Sequence, residues 1–103
     1  SLIFSLGYSP CRKEHQAREW LECLGYAVTR SAGSKGAWDL VGLSERGVVL
    51  GQVKSNTWPG PAERLSLELF PAPQGTRRLM FRFDDRLPML VRELVAGEWV
   101  DIA

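Results

Sequence analysis

Apolar and polar positions recur along this chain with two different periods, and the changes of period mark its elements. From Pro10 to Leu24 the residues Ala17, Trp20, Leu21 and Leu24 fall at i, i+3, i+4 and i+7, one stripe of a helix. Ser9 suits its N-cap, Pro10 its first position and Gly25 its end. Tyr26-Ala27-Val28-Thr29-Arg30 is a short β-rich run, and Ser31 to Gly36 is a Gly/Ser loop. Trp38 to Leu43 and Val48 to Lys54 read as two further strands, joined by Ser44-Glu45-Arg46-Gly47 in a hairpin turn. Trp58-Pro59-Gly60-Pro61 breaks the pattern. Leu65, Leu69 and Phe70 then predict a second helix over Ala62 to Phe70, which Pro71-Ala72-Pro73-Gln74-Gly75 stops. Arg77 to Phe83 alternates Leu79, Phe81 and Phe83 against Arg78, Met80 and Arg82, the pattern of a half-buried strand. Pro88 to Val95 reads as a third short helix, and Glu98 to Ile102 as a last strand. The order α-β-β-β-α-β with a short tail predicts an α/β sandwich, a mixed sheet of four to five strands flanked by helices.

Composition narrows the class without naming a ligand. A chain of 103 residues, 45% hydrophobic and 24% charged, is expected to form one globular domain around a single modest core, over residues 1–103. The formal net charge of +1 does not announce a nucleic-acid binder, so any basic face must come from local segregation. The basic residues are mostly arginine, which suits phosphate contacts, but codon bias explains that count without them. Cys11 and Cys23 are too few for a disulfide framework or a zinc site and read as free thiols of a reducing compartment. Leu2-Ile3-Phe4-Ser5-Leu6 is far shorter than a membrane span and reads as a packed or loosely attached segment, so a cytoplasmic protein is expected.

The hairpin supplies the chemistry. If Leu43 pairs with Val48, counting back sets Asp39 opposite Gln52, with Cβ atoms roughly 5 Å apart on one face. Lys54, two residues further on, shares that face. A carboxylate, an amide oxygen and an ammonium would thus converge. Magnesium prefers hard oxygen ligands and retains several waters. Asp39 would give the charged ligand, Gln52 a neutral carbonyl and Val53 its backbone carbonyl, while Lys54 acts on the attacking water or on charge building at a phosphate. An Asp beside a Lys on a hairpin is also the ordinary surface ion pair. Against that stands the setting of Asp39 among Trp38, Leu40 and Val41, a run that otherwise calls for burial.

Glu14, the segment Gly25-Tyr26-Ala27-Val28-Thr29-Arg30-Ser31-Ala32-Gly33-Ser34, Asp39 and Gly51-Gln52-Val53-Lys54-Ser55 together resemble the archaeal-type Holliday-junction resolvases of the PD-(D/E)XK nuclease superfamily. The resemblance spans about Arg12 to Ser55. It implies a restriction-endonuclease-like core and a magnesium site, with manganese able to substitute, at Glu14, Asp39, Gln52 and Lys54. It further implies endonucleolytic cleavage of DNA, branched DNA included, by a twofold homodimer in repair or recombination. The loop Ser31 to Gly36 resembles the family's small-residue loop, in which backbone N–H groups can approach a phosphate. Arg12, Lys13, Arg30, Ser31, Ser34 and Lys35 are the donors expected at the DNA backbone.

Two positions depart from the family pattern. Trp38 stands where a proline usually precedes the aspartate, and Gln52 stands where the family carries a second acid. The missing charge should weaken metal affinity, and it opens an alternative: a nuclease-fold domain that binds nucleic acid without cutting it. Glu19 and Glu22 lie off the apolar stripe and read as solvated, His15 as an exposed helical histidine. Arg77, Arg78, Arg82, Arg86 and Arg92, interspersed with Asp84, Asp85 and Glu93, read as a mixed-charge face. Trp58 and Trp99 are candidates for an interface or for the core.

Overall fold

The structure, a computed structural model, describes residues 13–30 and 38–103. Eight elements follow in order: α1 (Lys13–Cys23), β1 (Ala27–Arg30), β2 (Leu40–Ser44), β3 (Gly47–Ser55), α2 (Pro61–Leu69), β4 (Arg77–Phe83), β5 (Leu90–Val95) and β6 (Glu98–Asp101). The six strands form one sheet in sequence order. Every neighbouring pair is antiparallel except β3 and β4, which run parallel from Val49↔Arg77 to Ser55↔Phe83. A mixed sheet flanked by helices is the expected architecture, with one or two more strands than predicted.

The additional strand comes from the segment read as a third helix. Leu90–Val95 is β5, which joins β6 through Ala96 and Gly97, at φ 52° and 84°. Two successive residues with positive φ make the tight turn whose twist matches a hairpin. That pairing with β6 outweighs the weak helical pattern of six residues. The start expected at Ser9 and Pro10 lies outside the described residues, as do Cys11 and the Ser31–Gly36 loop.

Each face of the sheet carries its own apolar cluster. On one face, Ala17 and Leu21 of α1 meet Tyr26, Val28, Leu40, Val49, Leu79, Phe81, Phe83 and Val91. Trp20 packs edge-on against Phe81, with ring centroids 5.7 Å apart. Leu24, predicted on the same stripe, is instead exposed because the helix has ended at Cys23. On the other face Leu67 of α2 meets Trp38, Leu50 and Met80, flanked by Val41, Val48, Trp58, Phe70, Ala72 and Trp99. Met80 is fully buried on the side predicted polar, since both faces of β4 are covered. Trp58 and Trp99 thus belong to the border of this second cluster, and the Trp99 indole N–H donates to Glu68 at 2.8 Å.

α2 turns a different face inward from the one its leucines suggest. Leu65 and Leu69 are 53% and 72% exposed, whereas Leu67 is fully buried. Arg78 on β4 fixes this orientation by donating from Nη1 to the carbonyls of Leu67 and Phe70, at 3.0 and 2.8 Å. These are carbonyls that a helix end leaves without intrahelical partners. The arginines read as a mixed-charge face are largely engaged in this way: Arg77 holds Glu93 through two bonds of 2.7 and 2.9 Å. That bidentate hydrogen bond raises the Arg77 pKa above its ordinary value, against the opposing effect of burial. Arg92 likewise holds Asp101 at 2.8 Å.

Gly42 is a packing requirement of β2. A Cβ there would lie 2.6 Å from Val49 Cγ1 and 3.1 Å from Tyr26 Cβ, in a core with no slack. Gly42→Ala should therefore lower unfolding free energy by about 1–3 kcal/mol, measured as a fall in the urea midpoint with an unchanged m-value.

Candidate active site

The site begins where β2 stops. The β2–β3 ladder runs from Ser44↔Gly47 through Leu43↔Val48 to Leu40↔Gly51, the register the sequence predicts, closed by the two-residue turn Glu45-Arg46. Arg46 secures this turn, donating to the Leu24 carbonyl and lying 5.2 Å from the Tyr26 ring centroid. β3 then continues through Gln52–Ser55 beside β4, with β2 no longer alongside. Asp39, just before β2, donates its N–H to the Gly51 carbonyl at 2.9 Å. Its Oδ2 accepts the Val53 N–H, also at 2.9 Å. A side-chain carboxylate has taken over from the vanished strand. Asp39 is therefore held against the β3 backbone between Gln52 and Lys54, rather than as a ladder partner of Gln52. Trp38, buried against Phe70 with ring centroids 6.2 Å apart, anchors the chain immediately before Asp39.

Gln52 and Lys54 follow Leu50 in the alternation of β3 and so face α2. There they meet a residue the sequence reading did not single out. Lys54 Nζ lies 2.9 Å from Glu63 Oε2, and Gln52 Nε2 donates to the same oxygen at 3.4 Å. Glu63 is in the first turn of α2, one turn before the buried Leu67. Residues i and i+4 share a helix face, so burying Leu67 turns Glu63 toward the sheet. The stripe formed by Leu65 and Leu69 pointed elsewhere. Glu63, Leu67 and Phe70, at i, i+4 and i+7, were the spacing that could have found it.

The Gln52 amide is oriented by its neighbour. An ionised carboxylate only accepts hydrogen bonds, so Gln52 presents its NH2 to Glu63 and turns its carbonyl oxygen away. Asp39 has one oxygen on Val53, and among the described residues Oδ1 carries no bond. Beyond Lys54, Arg82 is its partner across β4, donating to Asp84 at 2.9 Å and to the Asn56 carbonyl at 3.3 Å. Arg92 covers the Trp58 ring at 4.1 Å.

Lys13 and Glu14 open α1, which packs over the opposite face of the sheet; their side chains are not among those described. Arg12, Ser31, Ser34 and Lys35 lie outside the described residues. Arg30 ends β1 opposite Leu40 and is exposed. His15 pairs on the surface with Glu19 at 3.0 Å, and Arg18 with Glu22 at 3.1 Å, as solvated helical residues do. Among the described residues, no three His, Cys, Asp or Glu side chains gather into a metal cage.

The structural role of the Asp39 carboxylate can be tested by substitution. Asp39→Ala leaves the Val53 N–H unpaired and should cost about 1–3 kcal/mol of stability. Asp39→Asn keeps an oxygen acceptor and should cost less. Parallel thermal melts of the two variants read the difference.

No family model and no curated protein matches the chain. Among solved structures it is similar to Hjc, a Holliday junction resolvase from the archaeal hyperthermophile Archaeoglobus fulgidus. The two share a TM-score of 0.62 at 20% sequence identity, over 87% of this chain and 85% of that one. Among the described residues no helix is long and apolar enough to cross a membrane. The six-stranded mixed sheet, with α1 on one face and α2 on the other, has the fold of that resolvase.

Proposed function

We propose that this chain is a magnesium-dependent endodeoxyribonuclease that hydrolyses phosphodiester bonds in DNA and selects branched structures. The observation that carries this reading is Asp39, its carboxylate held on the Val53 N–H where β3 outruns β2, with Gln52 and Lys54 on either side in sequence. The likeness to a Holliday junction resolvase supports the choice of reaction and substrate.

The donors suit a hard cation. Asp39 Oδ1 and the outward carbonyl of Gln52 are oxygens, the ligands magnesium favours, with manganese as a substitute. The Val53 carbonyl lies on the same side of β3 as its N–H and adds a third. Glu14, at the start of α1, would add a second carboxylate. When bound, magnesium supplies Lewis-acid polarisation of a phosphoryl oxygen and a more acidic attacking water. Asp39 and Gln52 would hold the cation. Lys54 holds its ammonium where it can orient water or offset charge building on the phosphate. Arg12, Lys13, Arg30, Ser31, Ser34 and Lys35 bind the DNA backbone, a contact that weakens steeply with salt. A four-way junction requires two symmetric cuts, which a homodimer delivers.

The engagement of Lys54 by Glu63, together with Gln52, favours a second reading: a domain that binds nucleic acid without cleaving it. Incubation with supercoiled plasmid and with linear, nicked, flapped and four-way DNA in magnesium or manganese separates the two. The endonuclease reading expects cleavage strongest on the four-way substrate, with Asp39→Asn and Lys54→Ala each reducing the rate on the order of 10²-fold or more. Salt-sensitive binding with no cleavage in either metal would establish the second reading, and variants that cut like the parent would sink the site.

A further inference from the structure

The acid missing from position 52 has a counterpart on α2. We infer that Glu63 is a further carboxylate of the cation site, on the helix in place of the acid missing from the strand, and that Gln52 and Glu63 form an exchanged pair. The inference rests on the metal-dependent reading of the same site.

Three observations converge on Glu63. Its Oε2 lies within hydrogen-bond distance of both Gln52 and Lys54, so its charge sits beside the end of the side chain at position 52. It stands on the helix that covers their face of the sheet. Its placement is also built in. Leu67 is fully buried one turn later, and Arg78 clamps the end of α2 through the Leu67 and Phe70 carbonyls.

The pairing also accounts for glutamine at position 52. Two carboxylates with oxygens this close would repel whenever no cation bridged them. An amide beside Glu63 instead donates to it, and its carbonyl oxygen remains a neutral ligand. The site keeps its negative charge while the cation-free protein avoids the repulsion. Lys54 balances Glu63 in that state, a partly exposed pair that contributes little to stability by itself.

Calorimetric titration of the purified protein with magnesium chloride, and separately with manganese chloride, tests the exchange without reference to cleavage. Glu63→Gln should weaken binding about tenfold or more. The double variant Gln52→Glu/Glu63→Gln, with the acid back on the strand, should restore it. Glu68→Gln, which removes an equal charge from the same helix at the Trp99 contact, should bind as the parent does. Circular dichroism melts of all variants distinguish lost binding from lost folding. Parent-like affinity in Glu63→Gln, or a loss that the double variant leaves unrepaired, overturns the inference while the metal-dependent reading stands. If the parent itself takes up neither metal, that reading falls and the inference with it.

Discussion

The parallel alignment of β3 with β4 is the constraint from which the rest of the molecule follows. Parallel neighbours cannot be joined by a tight turn; the chain must cross over the sheet and return to the starting edge. Here the crossing segment is α2. Because both central strands then have a covering helix on one side and α1 on the other, Leu79, Met80 and Phe81 can all be buried in succession. The same crossing sets the first turn of α2 above the far half of β3. Glu63 is brought to Lys54 by topology, with a side-chain contact only as the last step.

Charge at that contact is tightly composed. Asp39 spends one oxygen on main chain and Glu63 spends one on Lys54, so each acid is partly compensated in the free protein. Gln52 adds dipoles and no net charge. Arg82 and Arg92, further along the same face, are tied to Asp84 and Asp101. Among the described residues, this face therefore carries short local alternations of sign.

How much of this could be read from the sequence depended on the range of the interaction involved. The hairpin register was legible because a polar four-residue segment between two β-rich runs leaves few ways to pair, and Leu43↔Val48 follows. The stripe Ala17–Trp20–Leu21 was legible for a similar local reason, as was the alternation in Arg77–Phe83. Three features were hidden. β5 depends on a partner, β6, and its six residues carry no pattern strong enough to exclude a helix. The inward face of α2 is decided by Arg78 and by the apolar surface of β3 and β4, so Leu65 and Leu69 were misleading. Asp39 and Lys54 stood out by residue type and hairpin register, but the partner of Lys54 is set by the crossover, and the weak Glu63–Leu67–Phe70 spacing competes with the stronger leucine stripe.

Because β2 begins only at Leu40, the described residues leave a notch inside the sheet beside Gln52–Ser55, where a strand would ordinarily find neighbours on both sides. Beyond Gly51, β3 presents peptide groups toward that opening, and one of them, the Val53 N–H, already serves as a binding contact for Asp39. Peptide groups are common to nearly every residue type, so what they offer survives almost any replacement of the side chain that bears them. The contact to Asp39 is therefore one that a substitution of the Val53 side chain leaves in place. The side chains around it, Gln52 and Glu63 among them, add charge and dipoles to what that backbone already offers.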